Sequence, residues 1–202
     1  MRLVTALAIL IVSLVPGIAY AAVDAPAPST RETTPDIRAP SREEQIDALI
    51  KTLQTTKDDT VAIEAENSLA NLWLKSGSAT VDLMMRWVTA AMAAKNYPTA
   101  LDYLDRILTL TPDYAEGWNA RATVYFLEGD YSRALFDLQQ VLRIEPRHFD
   151  ALAGLGALLR EMGKNKEALS AFEAALALDP HLASVGKAVA DLKRKGVAGR
   201  DL

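Results

Sequence analysis

The chain has 202 residues, half of them apolar, and a formal charge of -4 from 22 basic and 26 acidic side chains. The apolar content is sufficient for a folded core, and the net negative charge argues against binding of nucleic acid, which usually requires a clustered positive face. The absence of cysteine excludes disulfides, cysteine-ligated zinc, iron–sulfur clusters and a thiol nucleophile. With only two histidines as well, we expect no metal site and no cofactor.

Residues 1–21 have the order of a secretory signal peptide. A positive start at Arg2 is followed by an uncharged apolar run, residues 3–15, then by a Pro-Gly break and a small-residue segment that ends at Ala21. We therefore predict cleavage after Ala21 and export to the periplasm. The alternative is an uncleaved inner-membrane anchor facing the periplasm, because residues 3–23 are barely long enough to span a bilayer.

Residues 22–41 are rich in Pro, Ser and Thr and lack the periodicity of a helix or a strand. Such a segment buries too little apolar surface to offset its ordering entropy, so we predict a disordered linker.

An internal repeat of 34 residues follows, in the segments 81–114, 115–148 and 149–182. Each segment has alanine at its position 20 and proline at its position 32: Ala100, Ala134 and Ala168, and Pro112, Pro146 and Pro180. Residues that are mostly apolar recur at positions 4, 8 and 11 and again at 20, 24 and 27, the three- and four-residue steps of a helix face. Each segment is therefore predicted to be a helical hairpin, with a close helix crossing at the alanine and a helix stop at the proline.

This pattern resembles the tetratricopeptide repeat (TPR) family. Residues 115–182 match it closely over two units, and residues 81–114 keep the frame although Lys95 stands where glycine is common and Met84 replaces an aromatic residue. The resemblance implies an all-α fold, a right-handed superhelix of antiparallel helix hairpins, the TPR solenoid.

Arg121 departs from the family pattern, because its motif position usually holds leucine. We expect its stem to lie over apolar surface and its guanidinium to pair with an acid of the preceding repeat, such as Asp102 or Asp105.

Two helical segments flank the repeats. Residues 42–80 are predicted to be a divergent N-terminal hairpin that caps the stack, with Gly77 ending its second helix, because Glu66 and Ser78 replace the alanine and proline of the frame. Residues 183–202 are predicted to be a capping helix and tail. Solenoids need such ends because each unit buries its apolar stripe only against a neighbour.

No catalytic constellation is present in the sequence. His148 and His181 follow prolines at predicted turns and are expected to be exposed, and no phosphate-binding loop or dinucleotide fingerprint occurs. We predict that the protein is not an enzyme and acts as an interaction module or scaffold of the cell envelope. The alternatives are a membrane-tethered assembly subunit, or an enzyme whose catalytic site comes from a partner.

The family resemblance implies a concave groove formed by positions 2, 5, 9 and 12 of the first helices. The corresponding residues are Asp82, Met85, Thr89 and Met92, then Glu116, Asn119, Thr123 and Phe126, then Asp150, Ala153, Ala157 and Arg160. The partner is expected to be a protein or peptide of unknown identity, with no nucleic acid and with a membrane only if the signal segment is retained. The family's peptide-carboxylate clamp, lysine at position 5 and asparagine at position 9 of the leading repeat, is absent.

Two features of this groove are candidate contacts for a ligand. Asp82, Glu116 and Asp150 recur every 34 residues and either stabilise helix N-termini or attract a basic side chain of a ligand. Met85, Met92 and Phe126 form a predicted apolar floor, which either accepts an amphipathic helix or extended peptide or is covered by the caps or the C-terminal helix.

Overall fold

A computed structural model describes residues 38–197; the predicted signal peptide, residues 22–37 of the predicted linker and residues 198–202 lie outside this range. The described residues form nine α-helices and no strand. The helices are α1 (Arg42–Thr55), α2 (Asp59–Leu74), α3 (Ala79–Ala93), α4 (Tyr97–Leu110), α5 (Ala115–Leu127), α6 (Tyr131–Ile144), α7 (Phe149–Glu161), α8 (Asn165–Leu178) and α9 (Ala183–Arg194). Within residues 38–197 no helix has the length and apolar character needed to cross a membrane.

The pairs α3–α4, α5–α6 and α7–α8 are the three repeated hairpins. Ala100, Ala134 and Ala168, one in each second helix, have no exposed surface, as the predicted close crossing requires. Each second helix ends two residues before its proline. In the turns within the hairpins, Gly129 and Gly163 have φ values of 77° and 74°, and Lys95 takes the same left-handed conformation at 56°.

Arg121 joins two repeats. Its Nη1 donates to Asp105 of the preceding repeat at 2.7 Å, which confirms the expected pairing. Its Nε and Nη2 donate to both oxygens of Asp137, at 2.8 and 2.9 Å, in a buried fork that the sequence did not indicate. The guanidinium also lies 4.8 Å from the ring centroid of Trp118.

The N-terminal hairpin, α1–α2, does not cap the end of the stack. It packs along the turns between repeats, where Tyr114 donates to the Leu74 carbonyl oxygen at 2.8 Å and Gln54 donates to the Ala177 carbonyl oxygen at 2.9 Å. Among the described helices, α2 does not pack on α3 as α4 packs on α5.

The physical reason lies in the apolar stripe of this hairpin. Glu66 removes the small residue that permits a close crossing, and the stripe is buried against Phe149, Leu178 and Leu182 instead of against α3. The predicted end of α2 is also wrong, since the helix stops at Leu74, and Gly77 supplies a left-handed turn residue, φ 84°, before α3.

Ion pairs join the same hairpin to the turn between α6 and α7. Arg147 donates to Glu145 beside it at 2.8 Å and to Glu43 and Asp47 of α1. One guanidinium therefore pairs with three carboxylates that belong to two distant parts of the chain.

Glu66, in the middle of α2, lies near Asp179, which follows α8. Asp179 is fully buried and accepts from the backbone N–H of His181 at 2.9 Å, and its Oδ2 has no hydrogen-bond partner in the described part of the chain. Burial, followed by repulsion from Asp179, raises the pKa of Glu66. Ionisation of Glu66 beside Asp179 is therefore expected to oppose docking of the hairpin.

The C-terminal helix α9 packs against α8, the last helix of the repeats. Its inward face buries Val185, Ala188, Val189 and Leu192 with α8, and Lys193 on its outer face pairs with Glu173 at 2.7 Å.

Gly156 provides a direct test of packing between α7 and α8. A Cβ atom there would lie 2.5, 2.6 and 2.8 Å from ring atoms of Phe172, whereas a Cβ atom at Gly154 would meet only Leu138, at 3.7 Å. We expect Gly156→Ala to lower the free energy of unfolding by about 1–3 kcal/mol, measured by urea denaturation. The matched Gly154→Ala variant should be neutral or up to about 1 kcal/mol more stable. Equal effects of the two variants would contradict this packing.

Glu66→Gln tests the acid pair. A folded-state pKa above the unfolded value disfavours the ionised form in the folded state, so this group reduces stability as pH rises through and above the normal glutamate range near ~4.3. The amide removes the repulsion and supplies a donor to Asp179.

We expect Glu66→Gln to raise the free energy of unfolding by up to about 1 kcal/mol at pH 7, with a smaller gain at pH 4, by urea denaturation. Glu64→Gln, an exposed change on the same helix, is the control and should have no effect. A pH-independent gain would assign the effect to something other than ionisation of Glu66.

Candidate functional site

The facing surfaces of α5 and α7 enclose a cavity of about 280 Å³. Five of the predicted groove residues line it: Asn119, Thr123, Phe126, Asp150 and Ala157. Ala122, Leu138 and Gly154 complete the lining. The repeat geometry therefore brings five of the eight predicted groove residues of the second and third repeats together.

The floor of this cavity is apolar and its rim is polar. Phe126 is half-buried, with its ring centroid 5.8 Å from that of Tyr131. Gly154, which the sequence analysis did not assign to the groove, leaves the α7 wall without a side chain. The available signal was its place in a predicted helix, one residue from the assigned Ala153, where glycine is otherwise unfavourable.

The first repeat contributes less than predicted. Met85 is wrong as a groove residue, because it is buried in the core cluster that contains Val88 and Leu104. Met92 packs partly against the same cluster, and Thr89 is exposed but donates its hydroxyl to the Met85 carbonyl oxygen at 3.0 Å. The predicted apolar floor is therefore confined to the α5–α7 cavity.

Residues at the margins of the groove lie outside the cavity lining. Ala153 is half-buried beside it. Arg160 is exposed near the end of α7, where its guanidinium is 3.8 Å from Glu161 and 6.0 Å from the ring centroid of Phe172.

The three recurring acids have different surroundings. Asp82 accepts from the backbone N–H and the hydroxyl of Ser76, at 3.0 and 2.6 Å, and these bonds lower its pKa. Glu116 lies 3.1 Å from Nε2 of His148 and accepts from Asn119 at 3.3 Å. The carboxylate of Asp150 has no hydrogen bond or ion pair with any described residue. Two of the three acids are thus held by the fold, and the third is available in the cavity.

The surroundings of Asp150 disfavour its ionised form. Partial desolvation against the concave wall is the first cause of its raised pKa, although the residue is exposed to solvent. His148 opposes this effect only in its protonated form, and the carboxylates of Glu116 and Asp179 add to it. The shift occurs although Asp150 lies in the first turn of α7, where the helix dipole favours a negative charge.

The expectation that the two histidines are exposed is wrong. His148 is 1% exposed, stacks on Trp73 with centroids 4.2 Å apart, and caps α7 by accepting from the Ala151 N–H at 3.3 Å. Because Nδ1 accepts, Nε2 carries the proton and donates to Glu116. His181 is also largely buried. The turns of an isolated repeat would be exposed, and only the distant N-terminal hairpin covers them.

A metal site is not supported by residues 38–197, which contain no group of three or more His, Asp or Glu side chains placed to hold an ion.

Comparison with known proteins identifies the repeats. Two family models, each described as tetratricopeptide repeat, match residues 89–153 and 125–192. A TPR repeat-containing protein of Rhizobium etli is 41% identical over 140 residues, which cover 69% of this chain and 69% of the relative.

Solved structures show the same fold. The Sgt2 TPR domain from Aspergillus fumigatus has a TM-score of 0.55 at 24% identity, covering 58% of this chain and 80% of that one. The first TPR domain of Spaghetti (RPAP3), bound to an HSP90 peptide, has a TM-score of 0.55 at 17% identity, covering 57% of this chain and 91% of that one. These matches confirm the solenoid expected from the 34-residue spacing, and the chain belongs to the tetratricopeptide repeat family.

Proposed function

We propose that this protein is a non-catalytic interaction module that binds a peptide or helix of a partner protein between α5 and α7. The observation that carries the proposal is the cavity of about 280 Å³, with an apolar floor at Phe126 and Leu138 and an exposed rim at Thr123. The RPAP3 domain, which has the same fold, is a precedent for peptide binding.

The shape of the cavity favours the side chains of a longer peptide. It is open along the groove, so one or two apolar side chains can enter it while the peptide backbone stays outside.

The chemistry of the groove differs from a carboxylate clamp. Position 5 of the leading repeat is the buried Met85 and position 9 is Thr89, so no lysine is presented to a peptide C-terminus there. The acidic residues lie instead at the N-terminal ends of α5 and α7. Recognition of an acidic peptide tail is therefore disfavoured.

We place this activity in the cell envelope, with the protein exported and the signal peptide removed. The support is the order of charge, apolar run and small residues in positions 1–21.

Intact mass of the protein from its native host tests the location. We expect a chain that begins at Ala22 and is released with the periplasmic fraction. A mass that retains the first 21 residues, found in the membrane fraction, would instead support the tethered assembly subunit.

Phe126→Ala tests the groove. A photo-crosslinking residue in place of the exposed Thr123 should capture a partner in the native envelope, and the added Phe126→Ala change should reduce capture by about tenfold or more, because truncating an aromatic anchor removes its contact area. Phe136→Ala is the matched control, since Phe136 is 54% exposed on α6, away from the cavity lining. Undiminished capture by a folded Phe126→Ala variant would overturn the groove assignment.

A further inference from the structure

We propose that the α5–α7 cavity selects a peptide segment in which a lysine or arginine stands within two residues of a bulky apolar side chain. The apolar side chain fills the space over Phe126, and the basic group pairs with Asp150. This inference rests on the proposed peptide-binding function and adds the chemical class of the ligand.

The carboxylate and the apolar floor lie in the same cavity. Asp150 and Phe126 line one cavity, from α7 and α5 respectively. In an extended peptide, side chains two residues apart point to the same side and are separated by about 7 Å. One short segment can therefore reach the apolar floor and the carboxylate together.

Among the described residues, no lysine or arginine pairs with Asp150. The charged side chains that act on Asp150 are the acids Glu66, Glu116 and Asp179, and the nearby imidazole of His148 is paired with Glu116. Arg147 is engaged by three carboxylates, and Arg160 lies ten residues further along α7, about 15 Å away for a 1.5 Å rise per residue.

Asp150 differs from the two other acids at its motif position. Asp82 and Glu116 occupy the same motif position and satisfy donors of the fold, whereas Asp150 satisfies none among the described residues. A cationic ligand group would offset the negative potential that raises the pKa of Asp150. Its preference for basic peptides should consequently weaken on acidification at a pH above the usual aspartate range.

Selection from a displayed library of random twelve-residue peptides tests the inference without a known partner. The wild-type protein, Phe126→Ala and Asp150→Asn are selected in parallel. We expect peptides that depend on Phe126 to carry a Lys or Arg within two residues of a bulky apolar residue, and this bias to disappear with Asp150→Asn.

Synthetic peptides from the selection then give the magnitude. Fluorescence anisotropy at low salt should show about threefold to tenfold weaker binding to Asp150→Asn, with a smaller ratio at high salt. Asp102→Asn removes the same charge from an exposed site on α4, outside the cavity lining, and should bind like the wild type.

The outcomes distinguish failure of the charge selection from failure of peptide binding. Phe126-dependent peptides with neutral or acidic flanks, or an equal loss of affinity in Asp150→Asn and Asp102→Asn, would overturn the charge selection and leave peptide binding intact. A selection that yields no Phe126-dependent peptide would overturn the proposed function and this inference with it.

Discussion

The structure depends on a contact that only a methyl group permits. In each repeat a completely buried alanine of the second helix lies at the crossing with the first. A larger side chain there would force the helices apart, so the alanine sets the separation of the two helices within each hairpin. Gly156 applies the same constraint between α7 and α8, where the ring of Phe172 occupies the space of a side chain. The cavity between α5 and α7 is a product of this regular spacing.

What the sequence could predict follows from how local each feature is. Helices, hairpins, left-handed turns at Gly129 and Gly163, and the face that presents Asn119, Thr123 and Phe126 all follow from residues within one 34-residue period. The Arg121–Asp105 pair joins adjacent repeats and was also accessible. Each of these features requires only the repeat frame and the helical period.

The features that escaped prediction depend on distant segments or on the detailed packing of one hairpin. His148 is buried because Trp73, 75 positions earlier in the chain, stacks on it. No pattern within a single repeat indicates that contact. Met85 has the motif position of a groove residue, but the packing of its own repeat draws the long side chain into the core. The three acids share one motif position and one charge, and only their partners separate the two that serve the fold from Asp150.

The N-terminal hairpin alters the mechanics of the array. A stack of repeats is ordinarily quasi-one-dimensional, so it frays from its ends and flexes like a spring, because each unit touches only its neighbours. Here α1 and α2 reach the turns after α4, α6 and α8, and the bond from Gln54 to Ala177 joins residues 123 positions apart. This closes the open array into a loop of contacts. The last repeat is thereby coupled to the first folded segment. We expect this coupling to make unfolding more cooperative, to slow folding through the long-range closure, and to hold the curvature of the groove before any ligand arrives.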